Sequence, residues 1–149
     1  MNFRQRLMER FINLYPPLLG AGIRSRTLDE RTIEVEMKLT ASNRNIVGVH
    51  FGGSLYAMCD PWFMLILIRQ LGADYIVWDK AASIQFKKPG KGTVRARFHI
   101  SPERVKEIRK DADAQTKIEP TFVVDVVDTE GQVIARVEKL LYVRRKNGS

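Results

Sequence analysis

Apolar and polar side chains alternate strictly along several short segments of this chain. In residues 32 to 39 every second side chain is apolar, and residues 94 to 100 repeat the pattern with a basic face opposite the apolar one. A period of two is typical of a β-strand that turns one face to the core. The apolar members are Ile33, Val35, Met37 and Leu39 in the first segment and Val94, Ala96, Phe98 and Ile100 in the second.

Four further segments complete the predicted sheet. Residues 23–28 can pair with 32–39 through a turn at 29–31. The others are 74–88, joined to 93–100 by the turn Pro89-Gly90-Lys91-Gly92, and 121–127, joined to 132–143 by a turn at 128–131. Because tight turns join most neighbouring strands, we expect an antiparallel sheet of about six strands.

The N-terminal residues 1–20 show a helical period instead. Apolar side chains recur every three or four residues and stop at Pro16-Pro17, which predicts an amphipathic helix. We expect its apolar side to pack on the flank of the domain rather than to lie on a membrane surface. The residues of that side are Phe3, Leu7, Phe11 and Leu14.

A second helix, from about Gly53 to Leu71, is apolar almost all round and must therefore be enclosed. A short, mostly charged helix opens at Ser101-Pro102 and is expected outside the core. The predicted class is α+β: an antiparallel sheet curled around one long apolar central helix. No linker or internal repeat divides residues 1–149, so we expect a single domain.

Composition narrows the function classes. The net charge of +8 favours an anionic partner such as nucleic acid, acidic lipid or a phosphate-bearing small molecule. The basic residues are scattered and no zinc motif, helix-turn-helix or aromatic stacking platform is visible, so nucleic-acid binding is not expected. Cys59 is the single cysteine and only two histidines are present, which excludes an internal disulfide and argues against a metal. We expect no cofactor.

Location follows from the same residues. The longest apolar stretch, residues 61–68, is far shorter than the roughly 20 residues of a membrane span. The N-terminus lacks the apolar core of a secretory signal; its arginines leave a mitochondrial presequence open, although Glu9 argues against one. We expect a reducing compartment, the cytoplasm.

Residues 48 to 62, GVHFGGSLYAMCDPW, hold the candidate chemistry. The Gly52-Gly53 pair permits positive φ and lets another molecule approach the backbone, because glycine has no Cβ. The helix start that follows presents unpaired N–H groups, which suit a developing oxyanion. Asp60 lies two turns later among apolar residues, where we expect a partly enclosed carboxylate able to act as a base.

The spacing of these residues resembles that of hotdog-fold acyl-coenzyme A (CoA) thioesterases, of the type found in phenylacetate catabolism. In that family an asparagine is followed by a glycine three residues later, a glycine pair seven and eight residues later and an acid fifteen residues later. The resemblance implies a hotdog fold, a homodimer or dimer of dimers, and an acyl-CoA or related thioester as substrate. The matching residues are Asn45, Gly48, Gly52, Gly53 and Asp60.

The resemblance also implies roles for these residues. A backbone N–H near Gly52-Gly53 would polarise the thioester carbonyl, and Asn45 would orient substrate or water. Asp60 would activate the water or attack directly. The family places these groups across a dimer interface. The phosphates of CoA would suit the basic balance, with Lys87, Lys88, Arg95 and Arg97 as candidates.

Two departures from the family pattern are visible. The family commonly has histidine directly before the glycine pair, whereas this chain has Phe51 there and His50 one residue earlier. We count His50 among the candidate site residues because it can still reach the site. Pro61 after the acid matches a less characterised branch of hotdog proteins with an aspartate-proline step.

Alternatives stay open for two of these residues. Asp60-Pro61 is also a good N-cap pair, so the helix can end at Met58 and restart at Pro61 with Asp60 as a cap. Cys59 invites a nucleophile role, but a small core residue is the better interpretation. The leading hypothesis is thioester hydrolysis by water activated at Asp60, and the alternative is a binding module that retains an acyl or acyl-CoA ligand without hydrolysis.

Overall fold

The computed structural model describes residues 3–147, which form six strands and five helices. The first and last residues of the predicted domain, 1–2 and 148–149, lie outside the described residues. The strands are β1 (Ile23–Asp29), β2 (Thr32–Met37), β3 (Tyr75–Phe86), β4 (Val94–His99), β5 (Thr121–Asp128) and β6 (Val133–Arg145). The helices are α1 (Phe3–Leu14), α2 (Pro16–Gly20), α3 (Gly52–Ala57), α4 (Trp62–Leu71) and α5 (Pro102–Ala114).

All six strands join one antiparallel sheet in the order β1-β2-β4-β5-β6-β3. The alternation in the sequence sets which face is buried: Val35 of β2 lies opposite Ala96 of β4, and both point into the core. β1 and β3 form the two edges of the sheet. The predicted α+β class with a six-stranded antiparallel sheet is confirmed.

Helix α4 packs against the buried face of the sheet. Trp62, Ile66 and Leu67 are almost completely buried, and the ring of Phe63 stacks on that of Phe122 with their centroids 4.8 Å apart. The same Phe63 ring meets Phe98 of β4 edge-on at 5.1 Å. This burial of large apolar side chains is the main stabilising term that holds helix and sheet together.

The central helix is interrupted between α3 and α4. Pro61 has no N–H to donate to the carbonyl of Ala57, so a regular helix cannot continue through it. The chain closes α3 with tight turns, in which the N–H of Cys59 donates to Tyr56 and that of Asp60 to Ala57. The break foreseen as an alternative is therefore present, but no side chain caps α4, and Asp60 does not act as its N-cap.

The N-terminal segment differs from expectation in two ways. Pro16-Pro17 does not simply end a helix but opens a second short helix, α2. The apolar stripe of α1 does not face the domain: Phe3 is 80% exposed and Phe11 68%. Instead Asn13 and Glu9 face the sheet, where they hydrogen-bond to the backbone of β1. Our prediction of the packing face of α1 is wrong.

Candidate active site

The loop before α3 is organised by Asn45. Its side-chain oxygen accepts hydrogen bonds from the N–H groups of Val47 and Val49, both at 3.1 Å. Its backbone carbonyl accepts from Gly48, whose φ of 85° lies in the left-handed region that glycine adopts without strain. The asparagine and the first glycine of the motif thus form one closed turn. Nδ2 of Asn45 donates to none of the described residues.

His50 ties this loop to the turn between β3 and β4. The side chain is 3% exposed, and its Nε2 lies 2.6 Å from the carbonyl oxygen of Gly92. Because a carbonyl can only accept, Nε2 carries the proton, and Nδ1 remains as a buried acceptor without a partner among the described residues. A buried ring held this way fixes the loop, which is a structural role.

Gly52 and Gly53 open α3, and an aromatic ring lies close to the place where a Cβ would stand on each of them. A Cβ on Gly52 would lie 3.0 Å from the ring of Phe86, and one on Gly53 would lie 2.6 Å from the ring of Phe51. Neither glycine has positive φ, so that part of the expectation is wrong and close approach is the reason for glycine here. Within residues 3–147 neither N–H donates a hydrogen bond, as expected for the first turn of a helix.

A cavity of about 380 Å³ lies between the loop, α3 and the β3–β4 turn. Three of the five predicted catalytic residues line it together, namely Asn45, His50 and Gly52, whereas Gly53 does not. Lys87 and Lys88 stand at the same rim, where the Lys88 ammonium group also contacts Gln132 at 2.9 Å. The cavity therefore combines the unpaired N–H of Gly52 with two cations, a setting for an anionic or polarised ligand.

The other two candidates for phosphate binding lie elsewhere. Arg95 and Arg97 point away from the core on the opposite face of the sheet. Arg95 is paired there with Glu36 at 2.8 Å, and Arg97 lies opposite Glu34 in the register of β2 and β4. Neither lines the cavity, so the structure separates them from Lys87 and Lys88.

Asp60 belongs to a second group of polar side chains, gathered around a buried lysine. The Lys139 side chain of β6 is 0% exposed, and its ammonium group lies 3.0 Å from the Asp60 carboxylate and 3.1 Å from that of Asp79. The Tyr56 hydroxyl donates to the same Asp60 oxygen at 3.0 Å. We call Tyr56, Asp60, Asp79 and Lys139 the lysine cluster.

Burial and charge act in opposite directions within the lysine cluster. Burial alone would lower the pKa of Lys139, but the two carboxylates outweigh it and raise that pKa. Burial raises the pKa of Asp79, although the lysine opposes this, and burial also raises the pKa of Tyr56. Two acids therefore share one cation.

The location of Asp60 shows that the expected enclosure of its carboxylate is wrong, while its catalytic role stays a prediction. Its side chain is 52% exposed within one chain, so it is not enclosed as we expected. It does not line the cavity beside Gly52 either. The single chain thus unites Asn45, His50 and Gly52 but leaves Asp60 in the neighbouring cluster, and the catalytic roles of these residues stay a prediction.

Cys59, next to Asp60, is a core residue. It is fully buried, and burial raises the pKa of its thiol to about 12. A thiol at that pKa holds its proton at neutral pH and is a poor nucleophile. The interpretation of Cys59 as a small core side chain agrees with this environment.

Lys139 is not among the site residues predicted from the sequence, although the sequence holds a signal for it. In β6 the residues 135, 137, 139, 141 and 143 alternate inward, and Lys139 is the one charged member of that set. A lysine at an inward position needs an acidic partner, because an unpaired buried charge is very costly. Asp79 could not be paired with it in advance, because a β-bulge between Asp79 and Ala81 shifts the register of β3 against β6.

Comparison with known proteins places the chain in a family. The family model described as a domain of unknown function, DUF4442, matches residues 4–143. The chain belongs to the DUF4442 family. No curated protein matches its sequence significantly.

Solved structures show which fold this DUF4442 chain has. A Pseudomonas aeruginosa protein of unknown function, a probable thioesterase, is 21% identical, with a TM-score of 0.83 over 97% of this chain and 98% of that one. A thioesterase from Haemophilus influenzae is 16% identical, with a TM-score of 0.70 over 97% and 93%. The PaaI protein of the Escherichia coli phenylacetic acid degradation operon is 20% identical, with a TM-score of 0.66 over 98% and 94%. The resemblance to hotdog thioesterases is confirmed at the level of the fold.

Residues 3–147 hold neither a membrane-spanning helix nor a cluster of metal ligands. None of the helices there combines the length and the apolar character that crossing a membrane requires. The same residues contain no group of three or more His, Cys, Asp or Glu side chains placed to hold a metal ion.

Proposed function

We propose that this chain hydrolyses acyl-CoA thioesters. The observation that carries the proposal is the cavity at the start of α3, where Gly52, whose N–H is unpaired, lines the same space as Lys87 and Lys88. The N–H of Gly53, the next residue of the helix, is unpaired as well. A thioester carbonyl needs donors for its developing oxyanion, and CoA brings phosphates that need cations. A probable thioesterase from Pseudomonas aeruginosa and a thioesterase from Haemophilus influenzae share the fold, which supports the same reaction class.

The reaction proceeds through a tetrahedral intermediate. Asp60 accepts a proton from a water molecule while the oxygen of that water attacks the thioester carbon. The electrons of the C=O bond move onto the carbonyl oxygen, which the N–H groups of Gly52-Gly53 stabilise. The intermediate collapses by breaking the carbon–sulfur bond, and the CoA sulfur leaves and takes up a proton. Asn45 orients the substrate or the water through its amide group, while His50 keeps the loop in place.

The lysine cluster positions the proposed base. Lys139 and the Tyr56 hydroxyl both contact one oxygen, Oδ1, of Asp60. That oxygen is committed to the cluster, so Oδ2 remains to meet the water. A carboxylate with one oxygen held by hydrogen bonds and the other free to contact water has the geometry that a general base requires.

A homodimer brings the two halves of the site together in this proposal. β3 is an edge strand of 12 residues whose outer side pairs with no strand within the described chain. Antiparallel pairing of two copies about a two-fold axis near Ala82–Ser83 would set Asp79 of one copy opposite Phe86 of the second copy. Because Phe86 lies against Gly52, the Asp60 of one copy would then approach the oxyanion site of the other. Further association gives a dimer of dimers.

We place this activity in the cytoplasm, in keeping with a chain that has one cysteine and therefore no internal disulfide. No cofactor takes part in the proposed reaction.

The test measures free thiol released from a panel of acyl- and aryl-CoA substrates. Asp60→Asn keeps the shape of the side chain but removes the base, so kcat is expected to fall by about 100-fold or more with little change in KM. Asp74→Asn is the matched control, because Asp74 is exposed and its side chain has no partner among the described residues. Wild-type turnover by Asp60→Asn would show that the mechanism is wrong. Retention of an acyl ligand without thiol release from any substrate would instead support the binding-module alternative.

A further inference from the structure

Helix α1 presents an apolar stripe to solvent. The stripe has four residues, which fall within an arc of roughly 80° around the helix axis when each residue turns by about 100°. All four are exposed, and Tyr15 and Leu19 extend the exposed apolar surface beyond the helix. Contiguous apolar surface of this kind marks a binding face. We call Phe3, Leu7, Phe11 and Leu14 the α1 stripe.

Contacts on the other side of the helix hold the α1 stripe outward. The Asn13 amide accepts from the Ser25 N–H at 2.8 Å and donates to the Ser25 carbonyl at 3.0 Å. The Glu9 carboxylate accepts from the N–H of Thr27 at 3.3 Å. Rotating α1 to bury the stripe would break all three bonds, so the outward orientation is the stable one.

The charges beside the α1 stripe are of one sign. Arg6 and Arg10 border it on one side and Arg4 on the other, and all three are exposed. Within residues 3–147 none of them forms an ion pair. The one acidic residue of the helix, Glu9, faces the sheet. The outer half of α1 is thus apolar along its centre and cationic along both borders.

From this arrangement we infer that α1 binds the surface of anionic lipid membranes. An interfacial helix inserts its apolar stripe at the level of the lipid headgroups while flanking arginines meet the lipid phosphates. The apolar and the charged parts of α1 both find partners in that setting. The helix lies on the bilayer and does not cross it.

A second copy of the chain is a poorer occupant of the same face. A two-fold contact through the α1 stripe would bring the arginine borders of the two helices next to each other. The only acid of α1, Glu9, is already engaged with β1 and cannot neutralise them. Like charges at such short range oppose the contact, whereas an anionic surface attracts both borders.

The test is co-sedimentation of the full chain with vesicles of equimolar phosphatidylglycerol and phosphatidylcholine, and with vesicles of phosphatidylcholine alone. We expect binding to the anionic vesicles that falls steeply as salt is added. The double variant Phe3→Ser/Phe11→Ser and the double variant Arg6→Gln/Arg10→Gln should each weaken binding by about tenfold. These side chains point to solvent, so the variants should keep the wild-type melting temperature.

The control variant Arg24→Gln/Arg97→Gln also removes two positive charges. Arg24 of β1 and Arg97 of β4 are exposed on the face of the sheet that points away from the core, and neither belongs to α1. This variant should bind vesicles as the wild type does, which separates a local effect of α1 from the net charge of +8. Equal weakening by both arginine pairs would overturn the proposal, as would absence of vesicle binding. A lower oligomeric state of the phenylalanine variant by light scattering, without loss of vesicle binding, would assign the stripe to a second copy instead.

Discussion

Replacing Lys139 by methionine tests whether the lysine cluster holds Asp60. The substitution removes the cation that Asp60 and Asp79 share and fills nearly the same volume with an apolar chain, so the cavity left behind is small. Two carboxylates then face each other without a counter-charge. The variant therefore isolates the electrostatic part of the interaction from packing.

The size of the effect follows from how far each acid reaches water. Removing one partner of a fully buried pair costs about 3–5 kcal/mol. The Asp60 side chain is 52% exposed and can be rehydrated, whereas that of Asp79 is 22% exposed and carries most of the loss. We therefore expect the free energy of unfolding to fall by about 2 kcal/mol at neutral pH. For a chain of this size that lowers the melting temperature by about 4–8 °C.

The loss of stability in Lys139→Met depends on pH, and Asp79 determines whether it grows or shrinks as the pH falls. Burial already raises the pKa of Asp79 above 3.8, and removing Lys139, which opposes that shift, raises it further. The folded variant then binds the proton more tightly than the unfolded chain does, so its stability increases as pH falls toward 3.8. The melting-temperature difference between wild type and Lys139→Met should be larger near about pH 7.5 than near about pH 5.

Thermal unfolding at the two pH values, followed by circular dichroism, gives the required difference. Adding Asp79→Asn to Lys139→Met should recover part of the lost stability, because no unpaired charge then remains in the partly buried position. The rate of thiol release at neutral pH should fall by about tenfold in Lys139→Met, because Asp60 loses one of its two anchors. An equal loss at both pH values, or no recovery in the double variant, would refute the electrostatic account.

Two other predictions concern the neighbouring residues. Gly53→Ala places a Cβ 2.6 Å from the exposed Phe51 ring, so the ring must move. Because Phe51 directly precedes the proposed oxyanion donors, thiol release should fall, while the melting temperature changes little because the ring is exposed. Gly20→Ala, where a Cβ meets nothing within 4 Å, is its control. Cys59, with its thiol pKa of about 12, should not react with a disulfide reagent in the native protein but should react in denaturant, as absorbance of the released thiol will show.

The sheet could be predicted from the sequence because a period of two fixes both the element and its buried face. A shift of one residue in β2 would expose Val35 and bury Glu34, so a single register is stable. The same argument holds for β4, where Ala96 is buried and Arg97 exposed. The pattern thus predicts a sheet around an apolar helix, whereas the more specific expectation of a hotdog fold comes from the resemblance of the Asn45–Asp60 spacing.

The face of α1 could not be predicted from hydropathy. Its orientation is decided by the edge strand β1, whose outward N–H and C=O groups need partners. Asn13 and Glu9 supply these partners. The hydrogen bonds are made to backbone atoms of β1, and the pattern of apolar and polar side chains does not show which backbone atoms need a partner. The partner of Asp60 was missed for a similar reason, because Lys139 lies 79 residues away along the chain.

The two edge strands of the sheet differ in whether their outer backbone groups are covered, and this difference determines at which edge a second copy can pair. At β1 the polar side of α1 occupies the outer backbone groups, so a second strand cannot pair there without displacing Asn13. At β3 the outer backbone groups have no such cover within the described residues. An open edge of 12 residues either aggregates or pairs with its own copy in a defined register. Because β3 connects Asp79 of the lysine cluster to Phe86 beside Gly52, the edge left open is also the one at which two incomplete halves of a site can be joined.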